Sequence, residues 1–546
     1  MLLIDQTDAG DGARLESEQQ LAGAAWAIAS SGAIAEVTET EAQLVTESEA
    51  VSGADAAALI AAIRLGNDPL GEAFERLRSP GQRRTLGAVY TPPTIVEAMV
   101  RWVAESANPS RVVDPGAGSG RFALKAARAL PEASLVAVEL DPLAALLTRA
   151  NLTAAGLDCR SQVLVGDYRQ LELASCEGVT AFIGNPPYVR HHDIDPSWKE
   201  WLTTTAASHG LPVSGLSGLH MHFFLATFQH AQPGDVGAFV TSSEWLDVNY
   251  GRLLRAMLTD GLGGESIHVI DPEAMPFEQA ATTATVTCFK VGSKTETVVM
   301  RRVRQVEHLA DLANPAKGTR ISKRLLRAEK RWTPLLVPTQ PPPQGYVELG
   351  EICRVHRGAV TGSNATWITE ADNPAVPRVA LFPSVTKARE LFDTDGALKD
   401  FNDLRSVIDL PVDLDELEPE DRVLAEQFLR FAEKNGARSS YVAQQRKPWW
   451  SVRLRSPAPI LATYMARRPP AFVRNPAGAR NVNVAHGIYP REPMSEAVLD
   501  SLAASLRAGV STAQGRTYAG GLTKFEPSEM QRIPVPGPNL LAEMSS

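Results

Sequence analysis

Between residues 111 and 291 the chain repeats one texture. Short, mostly apolar runs stand at RVVD (111–114), LVAVEL (135–140), VLVGD (163–167), AFIGN (181–185), GAFVT (237–241), SIHVI (266–270) and TATVTCFKV (283–291). Most are separated by segments of helical periodicity, such as LAALLTRANLTAAG after the second run. Runs this short and rich in Val, Ile and Phe read as strands. Strands alternating with helices fold as a doubly wound, mainly parallel α/β sheet. Seven such strands are expected within residues 81–295.

The ends of the first four runs are polar. The first passes into DPGAGSG, where Gly116, Gly118 and Gly120 let the backbone approach a ligand closely. The spacing is GxGxG, not the GxGxxG that cradles a pyrophosphate. The second run ends at Glu139, about 20 residues later, where an acid can accept both hydroxyls of a ribose. The third ends at Asp167-Tyr168. The fourth ends in Asn185-Pro186-Pro187-Tyr188. Each feature alone has a plain reading as a glycine turn, a solvated acid or a strand-ending turn. Together they stand at the carboxyl ends of four consecutive strands, the edge where open α/β sheets bind ligands. The Asn-Pro-Pro-Tyr turn is stiff, because proline fixes its own φ and restricts the residue before it. It offers a polar amide and a flat ring on a backbone that cannot relax.

These motifs resemble those of adenosylmethionine-dependent amino-methyltransferases, which have the class I methyltransferase fold. DPGAGSG, the acid of AVELDP, the acid of VGDY and NPPY are similar to their motifs I, II, III and IV. LGAVYTPPTIVEAMV (86–100) resembles motif X. Motif X ahead of motif I, with a large domain after the catalytic one, is the order of the gamma class of DNA adenine-N6 methyltransferases, the TaqI-like group of restriction-modification methylases. HRGAVTGSN (356–364) and GGLTKFEPSEMQRIPVP (520–536) look like pieces of that group's target-recognition domain. The resemblance implies S-adenosyl-L-methionine as cofactor and double-stranded DNA as partner. It implies that Tyr90, Thr91 and Pro92 lie beside the methionine part of the cofactor, with Asp114, Gly116 and Gly118 under it. Glu139 would hold the ribose, Asp167 the adenine amine, and Leu140 and Tyr168 its two faces. Asn185 and Pro186 would present acceptors to the amine of a flipped adenine. Pro187 would stiffen the turn, and Tyr188 and Phe277 would stack on the base.

Composition narrows the setting. The net charge of −9 argues against indiscriminate polyanion binding but leaves room for a local basic cleft. The four cysteines are far apart, with no CxxC pair, so neither a zinc site nor a disulfide framework is signalled. That suits the cytoplasm, as does an acidic N-terminus without a signal-peptide pattern. His191, His192, Asp193, His220 and His222 lack a metal-ligand context, and no metal is expected. No thiol stands in the NPPY motif, which argues against ring-carbon methylation through a covalent thiolate.

The flanks are read from charge and proline. Residues 1–80 hold ten acids in their first 50 positions and are expected to be a partly helical or mobile extension. Residues 296–345 are expected to form a basic connector and a proline-rich linker. Arg320, Lys323, Arg324 and Arg327 there are candidates for phosphate contacts. Residues 346–546 are expected to form a mixed target-recognition domain. Candidate contacts in it are Arg446, Lys447, Trp449 and Trp450 of QRKPWWSVR, with Arg474 and Asn475 of FVRNP. One chain carries every part a monomeric enzyme needs. No nuclease-like cluster is apparent, which leaves that activity to a cognate restriction endonuclease or a defence-system subunit. The rival readings are methylation of another amine (cytosine N4, RNA adenine or protein glutamine) and a non-catalytic DNA-binding module on the same fold.

Overall fold

The computed structural model describes residues 15–79, 91–271, 284–336, 342–518 and 522–545. The chain divides into two compact units, Met1–Leu336 and Val337–Ser546.

The first unit is built on a nine-stranded sheet of order β3-β2-β1-β4-β5-β7-β6-β8-β9. Its strands are β1 (Arg111–Pro115), β2 (Ser134–Glu139), β3 (Ser161–Val165), β4 (Thr180–Gly184), β5 (Val236–Ser242), β6 (Gly264–Ile270), β7 (Ala284–Lys290), β8 (Thr297–Val303) and β9 (Thr319–Ser322). The strands β1 to β5 pair in parallel, while β7 runs antiparallel between β5 and β6. Alternation along β1 sends Val112 into one apolar layer and Val113 into the other. Helices Pro93–Ser106 and Arg121–Ala129 cover the first face, and Leu219–His230 and Arg252–Thr259 the second. Both faces are dry, which explains why the strands read as continuous apolar runs. The strand order reverses between β1 and β4, so the carboxyl ends of β1 to β4 meet at a topological switch point.

Two expectations need correction. Residues 297–322 are not a connector: β8 pairs with β6 and β9 with β8, extending the sheet from seven strands to nine. Val298, Val299 and Met300 are buried there, and this three-residue apolar run is obscured by the basic residues around it. The second concerns the acidic N-terminal segment: of the two alternatives, partly helical or mobile, residues 15–79 take the helical one, and they are packed. They form α1 (Glu18–Ala29), α2 (Glu39–Thr46), α3 (Gly53–Leu65) and α4 (Pro69–Leu77). Each begins at a side-chain cap: Ser17, Thr38 in a capping box with Glu41, Ser52, and Asp68. Leu21, Ile28, Leu59, Ile63, Leu70 and Phe74 bury themselves against helix Pro142–Ala154. The buried Glu41 carboxylate pairs there with Arg149 at 2.7 Å, and Arg149 also donates to Ile34 and Val163 carbonyls.

The second unit is mixed α/β with small sheets. One four-stranded sheet joins Cys353–Arg357, Ala485–Pro490, Ile460–Thr463 and Phe472–Arg474. Helix Glu496–Gly509 packs Leu499, Leu502 and Leu506 into the apolar cluster of that sheet. A second cluster gathers Trp367, Phe428, Val452 and the flanking Trp449 and Trp450. No helix among the described residues is long and apolar enough to cross a membrane.

Candidate active site

A cleft opens at the switch point. Thr91, Gly116, Gly118, Glu139, Leu140, Asp167, Tyr168, Asn185 and Pro187 line it, so motifs scattered over some hundred residues converge on one space. Phe74, Arg121, Asp141, Arg169 and Phe223 line it as well, although nothing in the sequence pattern singles them out.

The glycine loop has the backbone its sequence demands. Gly116 and Gly118 have φ of 73° and 59°, the left-handed region. The Gly116 and Ala117 amides donate to the Val138 carbonyl, which ties the loop to the end of β2. The Gly118 amide donates to Glu139 Oε2 at 2.8 Å. Glu139 Oε1 accepts from the Leu140 and Asp141 amides, each at 2.9 Å. Shielding from water pushes this carboxyl's pKa up, while the three amides pull the other way. Each carboxylate oxygen accepts more than one hydrogen bond, so the held side chain keeps capacity for a diol.

Asp114, the penultimate residue of β1, is 1% exposed. Its Oδ2 accepts from the Ala123 amide at 3.2 Å, while Oδ1 is buried without a hydrogen-bond partner. Burial, reinforced by repulsion from Glu139, pushes its pKa up to about 8. An orphaned buried acceptor is a marked cost in a protein interior. Asp114 is not among the residues that line the cleft. Asp167 lines the cleft with its carboxylate chelated by Arg169, whose Nε donates to Oδ1 at 2.8 Å. That guanidinium stacks on Trp198 at 3.6 Å. Leu140 is 59% exposed. Tyr168 is buried, with its hydroxyl 3.0 Å from Thr227 Oγ1 and its ring tilted against Phe223.

The Asn185 amide donates from Nδ2 to Thr91 Oγ1 at 3.0 Å. Pro186 is buried. Tyr188 is not among the residues that line the cleft; its hydroxyl donates to the Val240 carbonyl at 3.2 Å and burial pushes its pKa up. Its ring lies 6.3 Å from that of His220, whose pKa burial lowers to about 4, so the imidazole is neutral. Pro92 does not line the cleft: its carbonyl accepts from Ile95 and Val96 at the start of helix Pro93–Ser106. Tyr90 and Phe277 lie outside the described residues.

Several basic candidates have structural partners instead. Lys323 is 5% exposed, and burial lowers its pKa. Arg327 donates to the Thr259 carbonyl at 2.6 Å. Arg446 donates to the Val360 and Thr361 carbonyls. Arg474 is buried against Asp500, Glu496 and the Pro459 carbonyl, and Asn475 against the Ala458 and Ala479 carbonyls. Trp449 packs on Trp367, and Trp450 donates to the Pro411 carbonyl. Arg320, Arg324 and Lys447 are exposed. No group of three or more metal-ligating side chains occurs among the described residues.

Comparison with known proteins gives the family. Residues 66–246 match the N-6 DNA methylase family model, and residues 343–546 match the C-terminal domain of the type II methyltransferase M.Eco57I. The chain is 51% identical over 469 residues to the type II methyltransferase M.XamI of Xanthomonas campestris pv. amaranthicola, covering 86% of this chain and 87% of that one. This chain belongs to the type II N6-adenine DNA methyltransferases. The type II methyltransferase M.AccI of Acinetobacter calcoaceticus is 23% identical over 484 residues, covering 85% of this chain and 88% of that one. Among solved structures, the type IIG restriction endonuclease BpuSI aligns over 97% of this chain and 72% of its own, with 16% identity and a TM-score of 0.49.

Proposed function

We propose that this methyltransferase uses S-adenosyl-L-methionine to methylate the N6 amine of an adenine extruded from double-stranded DNA. The observation that carries the reading is the convergence of the glycine loop, Glu139, Asp167 and Asn185 on one cleft. The donor set suits this cofactor. Asp114 holds the Ala123 amide just after the glycine loop and so supports the loop. Glu139 accepts from ribose hydroxyls, and Asp167 from an exocyclic amine. Leu140, Tyr168 and Phe223 supply apolar walls. When bound, the cofactor supplies an electrophilic methyl group on a sulfonium.

The chain's own task is to make a poor nucleophile reactive. The lone pair of an adenine amine is delocalised into its ring. The Asn185 side-chain oxygen and the Pro186 carbonyl accept from the two N–H groups, which favours a pyramidal nitrogen with a localised lone pair. Such preorganised dipoles act where charge develops, in a site without water. The two prolines hold the acceptors in place. Tyr188 stacks on the base and orients it, and placement of this kind lowers a barrier by several kcal/mol. Extrusion of the nucleotide costs a few kcal/mol, offset by stacking and backbone contacts. The match of residues 343–546 to a methyltransferase C-terminal domain favours DNA over a protein glutamine or RNA substrate.

Asn185→Ala separates the roles. The variant is expected to bind S-adenosylhomocysteine within about threefold of wild type by calorimetry while losing at least about a thousandfold in methyl transfer, the scale of a lost preorganised acceptor. Normal turnover by this variant would sink the mechanism.

A further inference from the structure

Helix α4 reaches the cleft from a segment far upstream of the glycine loop. Phe74, on its buried side at 2% exposure, lines the cleft together with Leu140, Asp141 and Glu139. The helix is fastened at both ends. At its N-cap, Asp68 Oδ2 accepts from Ser119 Oγ and Arg121 Nε, each at 2.6 Å. Its Oδ1 accepts from the Gly71 amide at 2.9 Å and Asn151 Nδ2 at 3.1 Å. The approach is close enough that a Cβ on Gly71 would stand 2.6 Å from Ser119 Oγ. Beyond the C-terminus, Arg78 lies over the Phe74 ring at 4.3 Å and pairs with Asp141 and Glu18. Asp141 in turn caps helix Pro142–Ala154 and donates its amide to Glu139.

A ring clamped in this way is more than bundle filler. Leu70, one turn earlier, fills the bundle and does not line the cleft. Phe74 fills the bundle and also faces the space next to the acid proposed to hold the ribose. Leu140, on the same wall, is largely exposed and covers only part of it.

Resting on the methyltransferase reading above, we propose that Phe74 packs against the nucleoside of the bound cofactor, so that the N-terminal helical bundle is part of the cofactor site. Asp68 and Arg78 are positioning residues that hold α4 against the glycine loop and against Asp141. The apolar face of a nucleoside gains from such an aromatic wall.

The test is calorimetric titration of the full chain with S-adenosylhomocysteine, using wild type, Phe74→Ala, Phe74→Leu and Leu70→Ala. Phe74→Ala is expected to bind about tenfold more weakly, and Phe74→Leu to recover most of that. Leu70→Ala is expected to melt at a lower temperature but to keep its affinity within about twofold. In methyl transfer, Phe74→Ala is expected to raise the KM for adenosylmethionine and leave kcat nearly unchanged. Equal affinity of Phe74→Ala and wild type would overturn the proposal. So would equal weakening in Leu70→Ala, because bundle packing alone would then explain both. A wild-type protein that binds no S-adenosylhomocysteine would instead overturn the reading on which the proposal rests.

Discussion

Asn185 and Thr91 are joined by a 3.0 Å hydrogen bond from Nδ2 to Oγ1, linking the end of β4 to the residues that precede helix Pro93–Ser106. The bond is made by the nitrogen side of the amide and fixes the orientation of the side chain. Thr91→Val removes the acceptor at nearly constant volume. It is expected to lower kcat about tenfold, the effect of a misoriented catalytic group. Thr91→Ser keeps the hydroxyl and is expected to retain activity. Steady-state kinetics at saturating DNA checks both.

The Glu41–Arg149 pair anchors the N-terminal bundle to the sheet domain. Glu41 is 0% and Arg149 6% exposed. Glu41→Ala leaves a buried guanidinium without its counter-ion, which destabilises by roughly 3–5 kcal/mol. Urea denaturation measures this directly. A loss below about 1 kcal/mol would mean that the guanidinium finds water or another partner.

Asp114 gives a pH dependence with a definite sign. Burial pushes its pKa up to about 8 in the folded protein, against 3.8 for an ordinary aspartate. Between those values the folded protein holds a proton that the unfolded chain has released. This contribution to stability is therefore full at low pH and is lost as pH rises toward 8. Asp114→Asn removes the titration. The stability of wild type relative to this variant is expected to fall between pH 5 and pH 8 in denaturant melts. A constant difference would show that Asp114 is already ionised.

How much of this was legible in the sequence depends on locality. β1 to β7 each carry a contiguous apolar run, and the polar ends of β1 to β4 gather at one cleft. β8 and β9 were hidden because their apolar residues sit among arginines and lysines. The helices of residues 51–80 are legible from their apolar patches, but the packing of the acid-rich segment before them was hidden by its composition, although Glu41 is paired across 108 residues. Phe74 stands in an apolar patch of a helical-looking segment, but only folding brings it beside Leu140. Arg474 and Asn475 look like base readers in sequence but spend their donors on carboxylates and carbonyls within their own unit.

The basic segment makes a prediction about DNA. Arg320 and Arg324 are exposed, whereas Lys323 is buried. If the two arginines touch phosphate, replacing both by Gln reduces the slope of log affinity against log salt by about 2. Lys323→Gln is expected to leave the slope unchanged. Fluorescence anisotropy over a salt series measures both. An unchanged slope in the double variant would place the DNA elsewhere.

The central claim is methyl transfer to an adenine amine. The direct measurement is incubation of the purified chain with unmethylated genomic DNA and tritiated adenosylmethionine, followed by digestion to nucleosides and chromatography, with Asn185→Ala alongside. The account predicts label only in N6-methyladenine, and none with the variant. Label in N4-methylcytosine, or equal label from the variant, would contradict it.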